Sequence, residues 1–366
     1  MNRPPPSATR TPHPVVGRVV RISLSLGVAV VLYFGVIPLL AKAPWSAIVG
    51  ALGSLSVKQI ALLAVIWFSG LFAHSYVLTA AMPPLSHRRA LALNLTGSAV
   101  SNLFPCGGAV GVSLNYAMSR TWGFSRPAFT LYTFVTNLWD VMTKLSLPAL
   151  ALAGLLLTND VARLQLATIA AGALVVLVVL VLLVVAAMWS EWVASVLGRV
   201  LGRAVGGVLK AVRSNRTVDL EHVVVELRRE SLALLKRGWG QLSLGMLAYS
   251  ALQALLLWSC LHMLGTTLTM PEIFAGYAVE RVLSLAVITP GGTGVVEVGM
   301  TALLLAFGGD PVLTVAGVLI YRAFTFGLEI PVGGVGLLVW LWRQRGRAKM
   351  NVRSAAPYPS YPPDVA

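Results

Sequence analysis

NLFPCGGAVG at residues 102–111 and ITPGGTGVVE at residues 288–297 are two proline and glycine breaks set in apolar sequence of helical length. Proline removes a backbone donor and the residue before it avoids helical angles, while paired glycines allow angles that are closed to other residues. At membrane depth such breaks are tolerated only where protein or a water-filled cavity satisfies the freed backbone groups. Two breaks in corresponding places of two halves are typical of a transporter with a binding site near the bilayer middle.

The composition predicts an all-α polytopic membrane protein. Of the 366 residues, 57% are hydrophobic and only 11% are charged, and the mean hydropathy is +0.80. A soluble domain of average composition carries about 25% charged residues. Several apolar runs reach the ~20 residues that a helix needs to cross ~30 Å of hydrocarbon. We therefore predict about six full transmembrane helices, at residues 19–40, 57–81, 128–157, 163–188, 239–264 and 311–342.

Two pairs of shorter segments flank the breaks, residues 90–104 with 108–119 and residues 272–289 with 293–307. Because each arm is short for a full crossing, we interpret each pair as a re-entrant helical hairpin. Each half then contains three crossings and one hairpin, so the second half enters the membrane upside down. Such inverted repeats support alternating access around a central site. A second interpretation, in which every arm crosses as a thin helix, gives ten spans with the same ends.

The positive charge is distributed unevenly along the chain. The net charge is +15, and most of the 28 basic residues fall before the first span, after the second span, after the first hairpin, in the long middle loop and at the C-terminal end. The positive-inside rule makes that side the cytoplasm. The opposite loops contain little positive charge, namely Lys42, Lys58 and Arg163. We therefore expect a multi-pass protein of a bacterial inner membrane with both termini in the cytoplasm.

Polar segments at the two ends of the chain flank one predicted transmembrane domain. Residues 1–17 and 346–366 are rich in residues that disfavour a packed core, and we expect disordered cytoplasmic tails there. Residues 18–345 form the predicted transmembrane domain. Within it, residues 190–238 alternate valine and leucine with arginine and lysine at helical spacing. We expect a basic amphipathic loop that lies on the lipid surface or packs on the underside of the protein.

Seven charged residues remain at membrane depth, and such residues are candidates for function. They are Asp140, Lys144, Glu280, Arg281, Glu297, Arg322 and Glu329. Asp140 and Lys144 lie one helical turn apart and can form a pair, which is either part of a site or only a neutralised structural contact. Arg281 is expected near the outer interface, where its side chain can reach the headgroups.

Arg322 needs either a buried acid or an anionic ligand as a partner. Glu297 and Glu280 are the available acids, and a headgroup phosphate is the available ligand, because the arginine fork suits phosphate. Glu297 is also expected in the first turn of a helix, where the helix dipole stabilises an acid by roughly 0.3–1 kcal/mol.

The two breaks themselves predict an anion site. A helix that begins after Gly108 or Gly292 directs free N–H groups and a positive dipole end toward the bilayer middle, and such ends bind anions. The alternative is that the breaks are kinks that only allow close helix packing. The predicted lipid-binding residues are those of the breaks and the membrane charges, namely Pro105, Gly107, Gly108, Asp140, Lys144, Glu280, Pro290, Gly291, Gly292, Gly294, Glu297 and Arg322.

The second half resembles a known family. The run Thr289-Pro290-Gly291-Gly292-Thr293-Gly294-Val295-Val296-Glu297, followed by Tyr321-Arg322 and a glycine-rich last span, is similar to the lysylphosphatidylglycerol synthase transmembrane-region family. The resemblance covers about residues 18–345 and implies a flippase-like domain that moves a phospholipid or another lipid-linked headgroup between leaflets. On that pattern Pro290, Gly291, Gly292, Gly294, Glu297 and Arg322 match family positions.

The chain departs from the family pattern in two ways. Bifunctional members append a soluble aminoacyl-transferase domain, whereas this sequence ends about twenty residues after its last span, so we do not expect it to synthesise a lysyl-lipid. Many relatives also carry an acid and an arginine shortly after the first break. Here the stretch Ala109-Val110-Gly111-Val112-Ser113-Leu114-Asn115-Tyr116 contains neither.

We expect a flippase-like protein that is not an enzyme, needs no cofactor and binds no nucleic acid. Its expected partners are membrane lipids, either an anionic phospholipid or a polyprenyl-phosphate-linked head, together with a separate lipid-modifying enzyme. One alternative is a membrane-embedded enzyme acting on a polyprenyl-linked sugar, which would need acids clustered at one membrane surface. The other is a non-transporting scaffold of the cell envelope. Movement of lipid between leaflets would distinguish the flippase from the scaffold. A covalently altered lipid would indicate the enzyme.

Overall fold

The described part of the chain is helical throughout. The structure is a computed structural model that describes residues 27, 30–42, 44–103, 107–157, 220–285 and 289–354, with isolated positions between 172 and 199. Within these residues there is no β-strand. The helices are α1 (Ile37–Ala41), α2 (Trp45–Leu52), α3 (Val57–Ala81), α4 (His87–Leu103), α5 (Gly107–Thr121), α6 (Arg126–Leu157), α7 (Leu220–Met263), α8 (Met270–Leu283), α9 (Val295–Ala306), α10 (Pro311–Arg322) and α11 (Glu329–Ser354).

Four of the predicted spans are confirmed by helices that are long and apolar enough to cross a membrane. Within the described ranges they are Val57–Ala81, Arg126–Leu157, Lys236–Met263 and Pro311–Gln344. The predicted span at 163–188 lies largely outside the described residues, as do residues 19–26 of the first predicted span. The described end of the first span is a π-helical segment, Leu32–Val36, that continues into α1. The last span is α10 and α11 joined by a π-helical turn at Ala323–Gly327. The protein is therefore an all-α polytopic membrane protein.

The predicted short helices flank both breaks. α4 and α5 have 17 and 15 residues and α8 and α9 have 14 and 12, so at 1.5 Å per residue all four are shorter than the ~30 Å hydrocarbon core. α4 packs against α5, and α8 packs against α9. This is the arrangement that two re-entrant hairpins require. We call α4 with α5 the first hairpin and α8 with α9 the second hairpin.

Contacts between helices repeat in the two halves. The entering arm of each hairpin packs on the last span of the other half, α4 on α11 and α8 on α6. Each entering arm also contacts the span before it, α3 with α4 and α7 with α8, and α3 packs against its own equivalent α7. These are the matched pairs that an inverted repeat predicts.

Polar side chains define where several helices begin. Ser56 and Gln59 form a reciprocal capping box at α3, with the Gln59 side chain accepting from the Ser56 N–H at 2.8 Å. Asp310 caps α10 by accepting from the N–H of Leu313 at 2.9 Å. These caps satisfy the free N–H groups of the first turn, so the chain can turn at the ends of its spans.

The burial pattern is that of a membrane protein. Large apolar side chains such as Phe68, Leu244 and Leu338 are exposed on the outer faces of α3, α7 and α11, whereas several polar and charged side chains are buried inside. Lipid tails are as apolar as leucine, so the outer surface needs no polar cover. The polar groups inside the bundle are therefore the places to look for a binding site.

Two predicted boundaries need correction. The helix predicted to begin at residue 239 extends back to Leu220 as one helix of 44 residues, so it includes the end of the predicted loop 190–238. The predicted C-terminal tail from 346 starts too early, because α11 continues to Ser354. Residues 220–238 are rich in leucine, arginine and glutamate, and residues 346–354 contain arginine, alanine, lysine and methionine, all of which favour helix. No proline interrupts either stretch. The rest of the loop, and the tails at 1–17 and 355–366, lie outside the described residues.

Candidate functional site

The second break is a tight turn that only glycine can form. Pro290–Gly292 is a single 3₁₀ turn, and Gly291, Gly292 and Gly294 have φ values of +57°, +72° and +86°. These left-handed angles disfavour any residue with a Cβ. A Cβ on Gly291 would also lie 2.2 Å from Cε2 of Phe326. The glycine pattern therefore allows the tip of the second hairpin to approach the last span closely.

Arg322 ties this tip to the last span. Its Nε donates to Oε1 of Glu297 at 2.9 Å, and its Nη2 donates to the carbonyl of Gly291 at 2.9 Å. Arg322 is 7% exposed and Glu297 is 2% exposed. Arg322 is the last residue before the π-helical turn, a feature that is frequent at functional sites. A single guanidinium fork thus joins two segments of the second break to α10.

Glu297 uses both of its carboxylate oxygens. While Oε1 accepts from Arg322, Oε2 accepts from the backbone N–H of Gly294 at 2.7 Å. The carboxylate therefore caps the N-terminus of α9, where the sequence predicts an anion site. In this structure an acid of the chain itself occupies that position.

Glu280 and Arg281 continue this cluster. Both Nε and Nη2 of Arg281 donate to the carboxylate of Glu280, and the Tyr321 hydroxyl donates to it at 3.4 Å. Nη1 of Arg322 lies 3.9 Å from Oε1 of Glu280. The expectation that the Arg281 side chain reaches the headgroups is wrong, because this internal acid holds the side chain inside the protein. We call Arg322, Glu297, Glu280 and Arg281 the charge cluster.

Asp140 and Lys144 form the predicted pair. Nζ of Lys144 lies 2.7 Å from Oδ2 of Asp140, and the side chains are 15% and 34% exposed for Lys144 and Asp140. They do not join the charge cluster directly. Instead they border a cavity, which Arg281 also borders. Arg281 is therefore the residue that links the two groups of charges.

The cavity lies between the first hairpin, α3, α6 and α7 and has a volume of about 410 Å³. Its wall on α6 runs from Phe129, near the Arg126 end, to Lys144. Fifteen residues of helix rise roughly 22 Å, so the cavity extends from one end of the span to about its middle. Amide and hydroxyl side chains dominate the polar wall, namely Asn94, Asn102, Asn115, Asn137, Ser98, Ser101, Thr133 and Thr136.

Glycines of the first hairpin shape this cavity. A Cβ on Gly107 would lie 2.1 Å from the carbonyl oxygen of Ser101, and a Cβ on Gly111 would lie 2.8 Å from that of Gly97. These glycines allow α4 and α5 to pack backbone against backbone. Gly108 is different, because it borders the cavity and a Cβ there would meet no atom within 4 Å. Pro105 lies outside the described residues.

The two breaks meet in the interior. α4 contacts the 3₁₀ turn Pro290–Gly292, and Oδ1 of Asn102 would lie 3.0 Å from a Cβ on Gly291. Asn102 also borders the cavity. The tip of the second hairpin therefore adjoins the cavity wall, although Glu297 and Arg322 are not part of that wall.

The two breaks differ in the side-chain contacts that fix the helix after each of them. Glu297 lies five residues after Gly292, and the corresponding residue after Gly108 is Ser113. The Ser113 hydroxyl donates to the carbonyl of Ala109 at 2.8 Å, a contact within its own helix. A cavity thus adjoins the first break, whereas an arginine and an acid lock the second. This agrees with the departure from the family pattern after the first break.

The amides of the cavity wall were not among the predicted site residues. Asn94, Asn115 and Asn137 lie on three different helices, and no spacing rule relates them. Their only signal is that asparagine is uncommon in apolar helices, where a polar side chain needs a partner. Among the described residues, no group of three or more His, Cys, Asp and Glu side chains is placed to hold a metal ion.

Comparison with known protein families identifies the family of the chain. No curated protein matches the chain. A family model described as the lysylphosphatidylglycerol synthase TM region matches residues 19–333, which include both hairpins, the cavity and the charge cluster. The chain is therefore a member of the lysylphosphatidylglycerol synthase transmembrane-region family.

Proposed function

We propose that the protein is a flippase, which moves a phospholipid or another lipid-linked headgroup between the two leaflets. The observation that carries this proposal is the polar cavity inside the membrane-spanning bundle. A charged or hydroxylated headgroup cannot cross hydrocarbon unaided, because each unsatisfied polar group costs several kcal/mol there. A cavity lined by amides, hydroxyls and ions offers it replacement partners about halfway across.

The inverted repeat supports the same proposal. Lipid transport by alternating access needs two related elements that open in turn to the two sides. The first hairpin borders an open cavity, while Arg322 and Glu297 lock the second hairpin. We infer that this conformation is open toward one leaflet and closed toward the other. In the opposite state the lock would loosen and the first hairpin would close.

The proposal includes the membrane location, the orientation and the partners of the protein. The positive-inside rule places the Arg126 end of α6, and with it the end of the cavity at Phe129, at the cytoplasmic side. We propose a bacterial inner membrane with cytoplasmic termini as the location, and membrane lipids as the partners. A separate lipid-modifying enzyme would make the lipid that this protein transports. In this proposal the protein itself makes and breaks no covalent bond.

A leaflet-exchange assay with purified protein in liposomes tests the proposal. We expect protein-dependent movement of an acyl-labelled anionic lipid from the inner to the outer leaflet. Mass spectrometry of the same lipids distinguishes the enzyme hypothesis, which predicts a covalently altered lipid. If the protein neither moves nor alters any lipid, the proposal fails and the scaffold hypothesis is favoured.

A further inference from the structure

The chemistry of the cavity wall indicates what kind of headgroup fits. Each asparagine offers two donors and an acceptor, and each serine or threonine hydroxyl can both donate and accept. Alternating donors and acceptors are what a ring of hydroxyl groups needs, since each hydroxyl also does both. Asn115 is informative, because its Oδ1 is buried and has no hydrogen-bond partner among the described residues. An acceptor buried without a partner costs free energy, and Asn115 borders the cavity, so rotation of its amide toward a bound hydroxyl would recover that cost.

The charges of the wall favour an anion over a cation. The acid of the wall, Asp140, is already paired with Lys144 at 2.7 Å. Arg281 adds a second cation, while its partner Glu280 is fully buried and does not border the cavity. A headgroup amine would therefore face two cations and an acid that is already engaged. A phosphate would instead gain the attraction of Arg281, whose partner Glu280 lies behind the wall, and would meet a Lys144–Asp140 pair that is neutral as a whole.

We propose that the cavity binds a phosphate-linked polyhydroxyl headgroup, such as a sugar or inositol phosphate, and discriminates against amine-bearing headgroups. This proposal rests on the proposed function, because it names the substrate class of the same cavity. A volume of about 410 Å³ lies within the roughly 300–1,000 Å³ of typical small-molecule sites. The lipid part can be a diacylglycerol or a polyprenyl chain, since both carry the same headgroup chemistry.

A binding assay in nanodiscs tests the headgroup preference directly. Short-chain phosphatidylinositol, a short polyprenyl-phosphate glucose, short-chain phosphatidylethanolamine and lysyl-phosphatidylglycerol are the probes. We expect one or both of the polyhydroxyl probes to bind at least about tenfold more tightly than either amine-bearing probe, which corresponds to the loss of one or two hydrogen bonds to the wall. Preference between the two polyhydroxyl probes identifies the lipid part.

Substitutions in the cavity wall test whether the preferred headgroup binds in this cavity. Asn115→Leu and Asn137→Leu each remove an amide with little change in volume, and each should weaken binding of the preferred probe about fivefold or more. Binding of phosphatidylethanolamine should stay the same. Asn137 is exposed toward the cavity, so Asn137→Leu remains informative if Asn115→Leu fails to fold. Thr301→Val, at a buried site of α9 away from the cavity, is the control and should bind like the wild type.

The outcomes separate this proposal from the proposed function. Tight polyhydroxyl binding without leaflet exchange keeps the headgroup proposal and overturns the flippase. Leaflet exchange with equal or stronger binding of the amine-bearing lipids keeps the flippase and overturns the headgroup proposal. Binding of no probe, or binding that is unaffected by both asparagine variants, also overturns the headgroup proposal.

Discussion

Arg322 and Glu297 are 25 positions apart in the sequence, yet they share a 2.9 Å hydrogen bond between Nε and Oε1 inside the membrane-spanning bundle. The same arginine donates to the carbonyl of Gly291, and the same glutamate accepts from the N–H of Gly294. The pair thus fastens both sides of the second break. It is the clearest physical consequence of the Pro-Gly-Gly-x-Gly-x-x-Glu run in this chain.

Arg322→Ala should destabilise the protein strongly. Removing one partner of a buried pair leaves the other charge uncompensated, a change that typically costs about 3–5 kcal/mol. The variant should therefore show a lower thermal unfolding midpoint in detergent. Arg322→Lys should restore little, because an ammonium cannot reproduce the fork that reaches Glu297 and Gly291.

A double-mutant cycle isolates the contact between the two side chains. Arg322→Ala with Glu297→Ala should be more stable than Arg322→Ala alone, because no buried charge is then left over. Arg343→Ala, at an exposed position of the same span, is the control and should leave the midpoint unchanged. Strictly additive losses in the cycle would show that Arg322 and Glu297 do not interact.

Two adjacent glycines of α11 should respond oppositely to alanine. A Cβ on Gly333 would lie 2.0 Å from the carbonyl oxygen of Leu95 on α4, whereas a Cβ on Gly334 would meet nothing within 4 Å. Gly333→Ala should separate the first hairpin from the last span at a cost of about 1–3 kcal/mol. Gly334→Ala should be neutral or slightly stabilising, because alanine favours helix. Equal unfolding midpoints for the two variants would contradict the packing of α4 on α11.

The breaks should also differ in their tolerance of alanine. Gly291 has a φ of +57° and no room beside Phe326, so Gly291→Ala should cost on the order of 1–3 kcal/mol from backbone strain, with a further loss from the clash. Gly108 has no positive φ and has free space beside it, so Gly108→Ala should keep the wild-type midpoint. The stability of both variants can be measured by their expression levels and their thermal unfolding midpoints in detergent. A destabilised Gly108→Ala protein would show that the cavity is occupied by protein.

Much of the architecture could be predicted from the sequence because it depends on local signals. Hydrophobic length marks the spans, and proline with paired glycines marks the breaks. The pairing of Asp140 with Lys144 follows from helical spacing. For Arg322 the sequence leaves Glu297, Glu280 and a headgroup phosphate as partners, because a buried cation needs an anion, and the fold shows that Glu297 is the one bonded.

Other features could not be predicted, because they depend on which helices meet. Arg281 was expected at the interface, and only the fold shows that it donates to Glu280 beside the cavity. Asn94, Asn115 and Asn137 come together from three helices whose order in space no local pattern encodes. The contact of Arg322 on α10 with Glu297 on α9 likewise depends on which helices meet.

The orientation of the protein can be tested with introduced cysteines. Ser54 and Ser86 are exposed at opposite ends of α3, a helix of 25 residues that rises roughly 37 Å. In a variant with Cys106 and Cys260 replaced by alanine, Ser54→Cys should react with an impermeant thiol reagent from outside intact cells. Ser86→Cys should react only after the membrane is permeabilised. The reverse labelling pattern would overturn the orientation and place the Phe129 end of the cavity on the outer side.

Leaflet exchange in liposomes, compared between the wild type, Gly108→Val and Gly334→Ala, tests the central claim most directly. The isopropyl group of Gly108→Val would project into the free space of the cavity, whereas Gly334→Ala places a methyl group away from it. We predict that the wild type and Gly334→Ala move acyl-labelled phosphatidylinositol at equal rates, and that Gly108→Val loses at least about nine-tenths of the rate while keeping its unfolding midpoint, as a tenfold weaker cavity interaction would produce. Unchanged exchange by a folded Gly108→Val protein, or no exchange by the wild type, would contradict translocation through this cavity.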